Sequence, residues 1–358
     1  MQIGDENVHL VRAVMDEVFG SENFCGQIAY QKTPYATSTL LAPVFDTMLW
    51  YGKGKGAVKY KALYLDKPLW DPDSAYRFVD LPDGRTASVA SDEGRQAVER
   101  GELVPYQSVS LISPGPSSSP QPFAFDGRVF TPPANSHWKT TIDGLAHAAT
   151  AGRLFATANS LRFKSYLTDL PISILHNIWT DTITGSFTED KVFIVQTSPK
   201  VIARCMAMTT DPGDLVLDPT CGSGTTAVVA EHWGRRWITA DTSRVALALA
   251  RSRLMGARFP YYFLTDSPEG AKLEAELTGV PPATSACSHD VRQGFVYKRV
   301  PHVMLKSIAN NPDIREGMSR PEIDAAIRRH ADTELLYDQP YEDSSRIRVT
   351  GPFTVESL

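Results

Sequence analysis

The stretch most able to do chemistry runs from Leu215 to Thr226 and reads Leu-Val-Leu-Asp-Pro-Thr-Cys-Gly-Ser-Gly-Thr-Thr. Its three leading apolar residues predict a buried parallel strand that ends at Asp218. Gly222 and Gly224 allow a tight turn and a close approach of the backbone to a ligand. Either threonine at the end of the stretch can cap a helix that we predict from Ala227 to Trp233. Nucleotide-binding folds of many kinds share such a turn.

The next segment repeats this plan. Trp237 to Asp241 predicts a second strand that ends in an acid, and Thr242-Ser243 caps a predicted helix running to about Met255. Asp241 lies close to the roughly 20-residue spacing at which such an acid binds a ribose hydroxyl. The two halves form a strand–glycine turn–helix–strand–acid unit. A Rossmann-like unit that binds another nucleotide, or no ligand at all, is the alternative interpretation.

The pattern Asp218-Pro219-x-x-Gly222-Ser-Gly224-Thr-Thr resembles the S-adenosylmethionine motif of the DNA methyltransferases that act on adenine N6 or cytosine N4. That family usually has Phe after the Pro, whereas this chain has Thr220. The resemblance implies that S-adenosylmethionine is the cofactor and that Asp241 holds its ribose hydroxyls. The candidate cofactor-binding residues are Asp218, Pro219, Gly222, Gly224, Thr225, Asp241, Thr197 and Ser198.

Thr197 and Ser198 belong to a second helix start. Lys191 to Val195 predicts a buried strand, and a helix is predicted from Pro199 to about Met208. Ser198 at the cap with Pro199 at the first helical position is a strong start signal. The free N–H groups of such a start suit a carboxylate, and the resemblance implies the methionine carboxylate of the cofactor. An ordinary helix cap is the alternative for either residue.

Composition excludes several classes. The chain has 358 residues, 42% hydrophobic and 22% charged, with a net charge of −5, so no global basic field points to nucleic acid. A local basic face remains compatible with that total. The cysteines are far apart without a Cys-x-x-Cys pair, so we expect no metal site, no disulfide framework and a reducing cytoplasm. No apolar run has membrane-spanning length, and no secretion signal precedes the first helix.

The N-terminal segment resembles the same family. The matching stretches are Ile3–Leu10, Met15–Phe24, Gln31–Thr33 and Met48–Lys53, and they are similar to the segment after the catalytic motif in type III modification subunits. In that order, called the beta class, the catalytic half precedes the cofactor half. The resemblance covers roughly residues 3–55 and 159–266, with parts between. The turn Asn177 to Asp181 also resembles one that these enzymes carry ahead of the cofactor half.

We therefore expect an α/β fold, with a Rossmann-like class I methyltransferase sheet, an irregular β-rich recognition insert and a C-terminal extension. The predicted segments are 1–57 (last part of the catalytic half), 58–158 (target-recognition insert), 159–266 (S-adenosylmethionine-binding half) and 267–358 (extension of unknown role). The individual elements predicted are strands at Met1–Ile3, Phe24–Lys32, Phe45–Tyr51, Phe295–Ile308 and Arg346–Val355, and helices at Glu6–Phe19, Gly270–Leu277 and Arg320–Leu336.

The insert interleaves aromatic and basic residues with a proline-rich linker, Ser113 to Pro122. One interpretation is that basic side chains contact DNA phosphates while polar and aromatic ones contact bases. The alternative, favoured for any single aromatic, is that these rings form the core of a small β-rich domain. The residues in question are Tyr106, Phe123, Phe125, Arg128, Phe130, His137, Trp138, Lys139 and Arg153.

The catalytic loop of the family, Asp/Asn/Ser-Pro-Pro-Tyr/Phe, is missing from this sequence. Thr131–Ala134 and Val280–Ala283 lack the polar first residue and the aromatic last one. Tyr337–Tyr341 comes closest, but Gln339 replaces the first Pro, and Asp338 is better interpreted as part of an exposed acidic turn. The order of the segments places the loop upstream of Met1, so no catalytic residue is assigned.

The function expected is site-specific DNA methylation, at adenine N6, in a restriction-modification or related system, by a chain that is inactive alone. The expected partners are double-stranded DNA and a restriction subunit or second methyltransferase subunit, with no membrane. Three alternatives stay open: a cytosine-N4 methyltransferase, a non-catalytic DNA- or partner-binding module with a relic cofactor fold, and an oxidoreductase with a dinucleotide site.

Overall fold

The computed structural model describes residues 1–71, 73–116, 121–183, 197–282 and 286–356. Contacts divide the chain into two compact units. Unit 1 comprises Met1–Tyr64, Ile174–Lys298 and Leu336–Leu358, and unit 2 comprises Leu65–Ser173 and Arg299–Leu335. The division into four segments stays a prediction. In the contact-based division, 299–335 belongs with the insert and 336–358 belongs with the cofactor half.

The helices are α1 (Val8–Phe19), α2 (Asp92–Glu99), α3 (Ile142–Thr150), α4 (Pro199–Thr209), α5 (Thr225–His232), α6 (Arg244–Gly256), α7 (Pro268–Thr278), α8 (Leu305–Ala309) and α9 (Arg320–His330). Short 3-10 turns span Asp5–Asn7, Ser21–Asn23, Lys55–Ala57, Leu167–Asp169 and Val291–Gln293. The strands are β1 (Gln2–Gly4), β2 (Phe24–Gln31), β3 (Phe45–Tyr51), β4 (Tyr64–Asp66), β5 (Phe78–Asp80), β6 (Thr86–Ser88), β7 (Tyr106–Ser110), β8 (Ile112–Pro114), β9 (Phe123–Phe125), β10 (Arg128–Phe130), β11 (Ser136–Trp138), β12 (Leu154–Ala156), β13 (Leu161–Tyr166), β14 (Ile172–Ile174), β15 (Ile178–Trp179), β16 (Leu215–Asp218), β17 (Arg236–Thr239), β18 (Phe259–Tyr262), β19 (Tyr297–His302), β20 (Asp332–Pro340) and β21 (Glu342–Arg348).

Unit 1 contains a four-stranded sheet in the order β1-β3-β2-β15. β3 is antiparallel to both β1 and β2, and β15 runs parallel to β2 with Ile178 opposite Ala29. Side-chain alternation along β2 buries Ile28 and Tyr30 on one face. The N-terminal strands and helix α1 thus lie where the sequence predicts them. One core forms under this sheet from Ile28, Tyr30, Leu63, Leu175, Trp179, Val201, Ala207 and Met208.

β16 and β17 form a second, parallel pair with Leu215 opposite Arg236 and Asp218 opposite Thr239. The prediction that this first strand is buried is wrong, because Leu215 is 52% exposed and Leu217 is 65% exposed. The physical reason is pairing: among the described strands β16 pairs with β17 alone, and it turns only Val216 toward the helices. A single continuous Rossmann-like sheet therefore stays a prediction. The expected strand at Lys191–Val195 lies outside the described residues.

Unit 2 is built on a five-stranded antiparallel sheet in the order β12-β13-β7-β5-β6. Its strands are short, as expected for a β-rich insert. One face packs on a core to which helices α3, α8 and α9 contribute. That core includes Leu111, Phe123, Phe130, Trp138, Leu145, Leu154, Leu161, Phe163, Ile308, Ile314, Ile323 and Ile327.

The C-terminal residues depart from prediction in three places, one of which is the expected strand Arg346–Val355, where the structure has a strand only as far as Arg348. The expected strand Phe295–Ile308 ends at His302, and Leu305–Ala309 is helical. The expected helix Arg320–Leu336 ends at His330 and is followed by a strand. A capping box between Ser319 and Glu322 marks where α9 begins, whereas no equally local signal marks where it ends. In the described part of the chain, no helix is long and apolar enough to cross a membrane.

Candidate functional site

The glycine turn after β16 has the conformation that its sequence requires. Gly222 has a φ of 51° and Gly224 a φ of 78°, the left-handed region that favours glycine. Two backbone hydrogen bonds hold the ends of the parallel strands together: Ala240 N donates to Asp218 O at 2.9 Å, and Cys221 N donates to Ala240 O at 2.9 Å. The turn therefore lies at the carboxyl ends of β16 and β17, the edge where open α/β sheets bind ligands.

Asp241 is directed at this turn. Gly222 N donates to Asp241 Oδ2 at 2.8 Å, and Ser243 N donates to Asp241 Oδ1 at 2.8 Å. These backbone hydrogen bonds, first that from Ser243 and then that from Gly222, lower the pKa of Asp241 below its ordinary value. Asp241 is consequently an anion at neutral pH. It contacts the glycine turn, which the sequence analysis places in the same strand–turn–helix–strand–acid unit.

Asp218 supports the turn from the other strand. Thr220 N donates to Asp218 Oδ1 at 3.0 Å, and Thr226 Oγ1 donates to Asp218 Oδ2 at 2.5 Å. Pro219 and Thr220 are exposed. Asp218 thus ends one of the two strands that flank the glycine turn, and Asp241 follows the other. Each carboxylate oxygen can accept a further hydrogen bond beyond these.

Neither threonine caps helix α5 with its side chain, which corrects the expected cap. Gly224 holds the N-cap position without a side-chain hydrogen bond, and Thr226 donates to Asp218 instead. Thr225 is buried, and Arg253 Nη1 donates to Thr225 Oγ1 at 3.3 Å and to Ser223 O at 2.8 Å. The Thr225 hydroxyl is thus buried in a contact with Arg253. Its cofactor role stays a prediction.

Thr197 and Ser198 lie at the start of α4, as predicted. Thr197 Oγ1 donates to Gln2 Oε1 at 2.6 Å, so its described hydrogen bond goes to β1 and not to the glycine turn. Ser198 holds the N-cap position, is 9% exposed and makes no side-chain cap bond with the helix. Helices α4 and α5 meet through a cluster of Met206, Val229 and Ala230. Binding of a carboxylate at this helix start stays a prediction.

Most aromatic candidates of the insert belong to its core. Tyr106, Phe123, Phe130 and Trp138 are buried, and Phe125 packs against the same core. For these rings the alternative of a domain core is the right one, because a buried ring offers a base no face on which to stack.

The basic candidates of the insert divide into two kinds. Arg153 is also buried, with Nη1 2.7 Å from Asp169 Oδ2 and Nη2 2.9 Å from Asp169 Oδ1. It is therefore not available to phosphate. Arg128 and Lys139 are exposed, although Arg128 donates to two backbone carbonyls, those of Thr157 and Ala158. His137 is half-buried, with Nδ1 3.2 Å from Gly115 O.

The stretch most similar to a catalytic loop is not a loop. Asp338 lies inside strand β20 and is half-buried, so the expected exposed acidic turn is wrong. The Tyr337 ring packs on Tyr297 at a centroid distance of 5.2 Å. The stretch Thr131–Ala134 follows β10, and Ala283 lies outside the described residues. No group of three or more His, Cys, Asp or Glu that could hold a metal occurs in the described ranges.

One charged group that contacts α4 was given no role from the sequence. Asp181 lies at the end of a turn that the sequence identifies only by resemblance, and it contacts Arg204 and Lys200 on α4. The four-residue spacing of Lys200 and Arg204 indicates a shared helix face, but their acidic partner is distant in sequence.

Comparison with known proteins gives a family. A model of DNA methylases, the N6 and N4 methyltransferases, matches residues 1–252. The type II methyltransferase M.EcaI of Enterobacter cloacae is 28% identical over 272 residues, which are 73% of this chain and 53% of that protein. M2.DpnII of Streptococcus pneumoniae is 36% identical over 81 residues, 22% of this chain and 30% of that protein. This chain thus spans about half the length of the first relative, and its match covers 30% of the second.

A solved structure is also similar. The M1.HpyAVI–SAM complex matches with a TM-score of 0.32 and 12% identity, covering 71% of this chain and 73% of that one. At that score the likeness supports no detail of the site.

Proposed function

We propose that this chain binds S-adenosylmethionine and serves in site-specific methylation of a DNA base amine. The premise is that the chain belongs to the DNA methylase family of N6 and N4 methyltransferases. The family consists of DNA methyltransferases that depend on this cofactor. When bound, S-adenosylmethionine supplies an activated methyl group. The side chains and backbone of this chain bind that cofactor and orient it.

The observation that carries the proposal is the contact of Asp241 with the glycine turn. A turn with two positive φ angles, contacted by an ionised acid that follows the next strand, brings glycine backbone and carboxylate oxygens to one strand edge. Ribose hydroxyls can donate to Asp241, whose oxygens each have acceptor capacity left. Asp218, Pro219, Gly222 and Gly224 form the rest of the proposed site. The residues present therefore fit this cofactor.

The amino-acid end of the cofactor needs a separate site for its carboxylate. The start of α4 suits it, because the first-turn N–H groups of a helix and its dipole favour an anion. Ser198 adds a hydroxyl that makes no cap bond with the helix. Thr220, where the family has Phe, would contribute less packing to the adenine ring.

The target base is proposed to be adenine, methylated at N6, with cytosine N4 as the alternative. An exocyclic amine is a weak nucleophile because its lone pair is delocalised into the ring. The base must leave the helix, which costs a few kcal/mol. A loop that accepts hydrogen bonds from the amine then positions it.

That loop is absent from the sequence, so we propose that a segment or subunit outside residues 1–358 supplies it. The proposed partners are double-stranded DNA and a restriction or second methyltransferase subunit, in an order like that of the type III modification proteins.

The missing loop also favours a second candidate, a DNA- or partner-binding module with a relic cofactor fold. Cofactor binding separates the two proposals. We expect calorimetry to detect S-adenosylmethionine binding by the native chain and at least about tenfold weaker binding by Asp241→Ala, because a hydrogen bond to an ionised partner is worth about 1.5–3 kcal/mol. The control is Thr242→Ala, which changes the exposed neighbouring side chain and keeps the backbone.

Methyl transfer is measured in parallel on double-stranded DNA. We expect no transfer by residues 1–358 alone and transfer when the catalytic segment is supplied. DNA binding without any cofactor binding would support the relic module and contradict the proposal. Transfer by residues 1–358 would contradict only the missing-loop part of it.

A further inference from the structure

Asp181 lies beside the four-stranded sheet of unit 1. It follows β15, in which Trp179 is 1% exposed and pairs with Tyr30 of β2. On its other side, Thr182 Oγ1 donates to Gln31 O at 2.8 Å. The residues that flank Asp181 on both sides are thus bonded to β2.

From this position Asp181 binds two cations of helix α4. Arg204 Nη1 lies 2.7 Å from Asp181 Oδ1, and Arg204 Nη2 lies 2.7 Å from Oδ2, which is a bidentate pair. The Arg204 side chain is 8% exposed, and its guanidinium lies 5.3 Å from the centroid of the Trp179 ring. Lys200 Nζ lies 2.7 Å from Asp181 Oδ2 and 3.1 Å from its carbonyl oxygen. We name Asp181, Arg204 and Lys200 the α4 clamp.

The α4 clamp acts on the first turns of the helix. Lys200 is the second residue of α4, and Arg204 lies one turn further along the same face. Thr197, just ahead of the helix, is tied to Gln2 of β1. The start of α4 is therefore fixed at two sides of the sheet, while the Ser198 side chain, nine-tenths buried, makes no cap bond with the helix.

We infer that Asp181 is a positioning residue for the cofactor: through Arg204 and Lys200 it holds the start of α4 where the first-turn N–H groups and Ser198 bind the carboxylate of the cofactor's amino-acid end. The inferred effect is on the position of the helix start and not on its charge, because Asp181 itself lowers the net charge of the clamp from two positive charges to one. The inference rests on the proposed function and specifies which part of the cofactor depends on Asp181.

The test compares two ligands that differ in the amino-acid end. S-adenosylhomocysteine carries the carboxylate, and 5′-methylthioadenosine has the same nucleoside without it. We expect Asp181→Asn to weaken S-adenosylhomocysteine binding about tenfold, because the start of α4 would no longer be aligned with the carboxylate of the ligand. The interaction of a charge with a helix dipole, together with its hydrogen bonds, contributes an affinity of about that size. Binding of 5′-methylthioadenosine should change less than about twofold, a selectivity that general loss of stability would not produce. Asp181→Glu, which keeps the charge, should recover most of the affinity.

The matched control is Asp169→Asn in unit 2. It removes the acid of another bidentate arginine pair, a more buried one, with N–O distances of 2.7 and 2.9 Å to Arg153. It should lower the free energy of unfolding without changing either dissociation constant. Arg204→Lys, which keeps the charge and loses the bidentate geometry, serves as a second variant if Asp181→Asn does not fold, and should show the same ligand selectivity.

Equal weakening of both ligands, or no weakening of either, would overturn the inference and leave the proposed function standing. Absence of binding to both ligands by the native chain would overturn the proposed function and the inference with it.

Discussion

Gly224→Ala tests the closest approach of two helices beside the glycine turn. Gly224 has a φ of 78°, and a Cβ added there would lie 2.6 Å from Ala250 Cβ and 3.1 Å from Ala250 Cα. The left-handed conformation costs a residue with a Cβ about 1–2 kcal/mol. Overpacking against the α6 backbone adds about 1–3 kcal/mol. The expected loss in free energy of unfolding is therefore about 2–5 kcal/mol.

Two other variants separate these contributions. Gly279 has a φ of 72°, and among the described atoms nothing lies within 4 Å of its added Cβ. Gly279→Ala should therefore cost only the conformational part, about 1–2 kcal/mol. Ala250→Gly in the Gly224→Ala background removes the 2.6 Å contact with Cβ and keeps the 3.1 Å contact with Cα. It also replaces Ala by Gly inside a helix, which costs about 1 kcal/mol. If the steric contribution is larger than that cost, the double variant should have a higher free energy of unfolding than Gly224→Ala.

The assay is urea unfolding followed by tryptophan fluorescence and circular dichroism, with calorimetric cofactor binding as a second readout. Asp241 lies just ahead of α6, so displacement of that helix should also weaken binding. A Gly224→Ala variant that loses no more stability than Gly279→Ala would refute the close α5–α6 contact. Gly224 would then be required by its backbone conformation and not by packing.

Two further expectations concern buried and partly buried charges. Arg153→Met leaves the Asp169 carboxylate buried without its arginine partner. Urea unfolding should show a loss of about 3–5 kcal/mol in the free energy of unfolding. A loss below about 1 kcal/mol would contradict the buried pair. Acid unfolding should depend on Asp181, because Arg204, with Lys200, holds the pKa of Asp181 far below its ordinary 3.8. A depressed pKa means that the unfolded chain takes up the proton first, so the stabilisation is complete above pH 3.8 and is lost as the pH falls below it. The unfolding midpoint of Asp181→Asn should accordingly fall less steeply below that pH, and equally steep acid limbs in both proteins would contradict the role of the pair.

Local signals were sufficient for much of unit 1. Gly222 and Gly224 adopt positive φ, Ser243 accepts a hydrogen bond from Ala246 N at the start of α6, and Pro199 is the first residue of α4. Each of these features depends on residues within a few positions, so composition and spacing determine it. The pairing of Asp241 with the turn also follows from spacing, since parallel strands bring their carboxyl ends to one edge.

Long-range contacts decided the rest. Arg153 meets Asp169, and Asp181 meets Arg204, through side chains 16 and 23 residues apart that no local pattern connects. Trp138 is in a core and Leu217 is exposed for the same reason: burial depends on which distant element covers a residue. The sequence by itself determined the strand–turn–helix–strand–acid unit and its family, because these depend on local geometry and spacing. Only the tertiary structure decided which charges are paired and which faces are open, because those depend on distant neighbours.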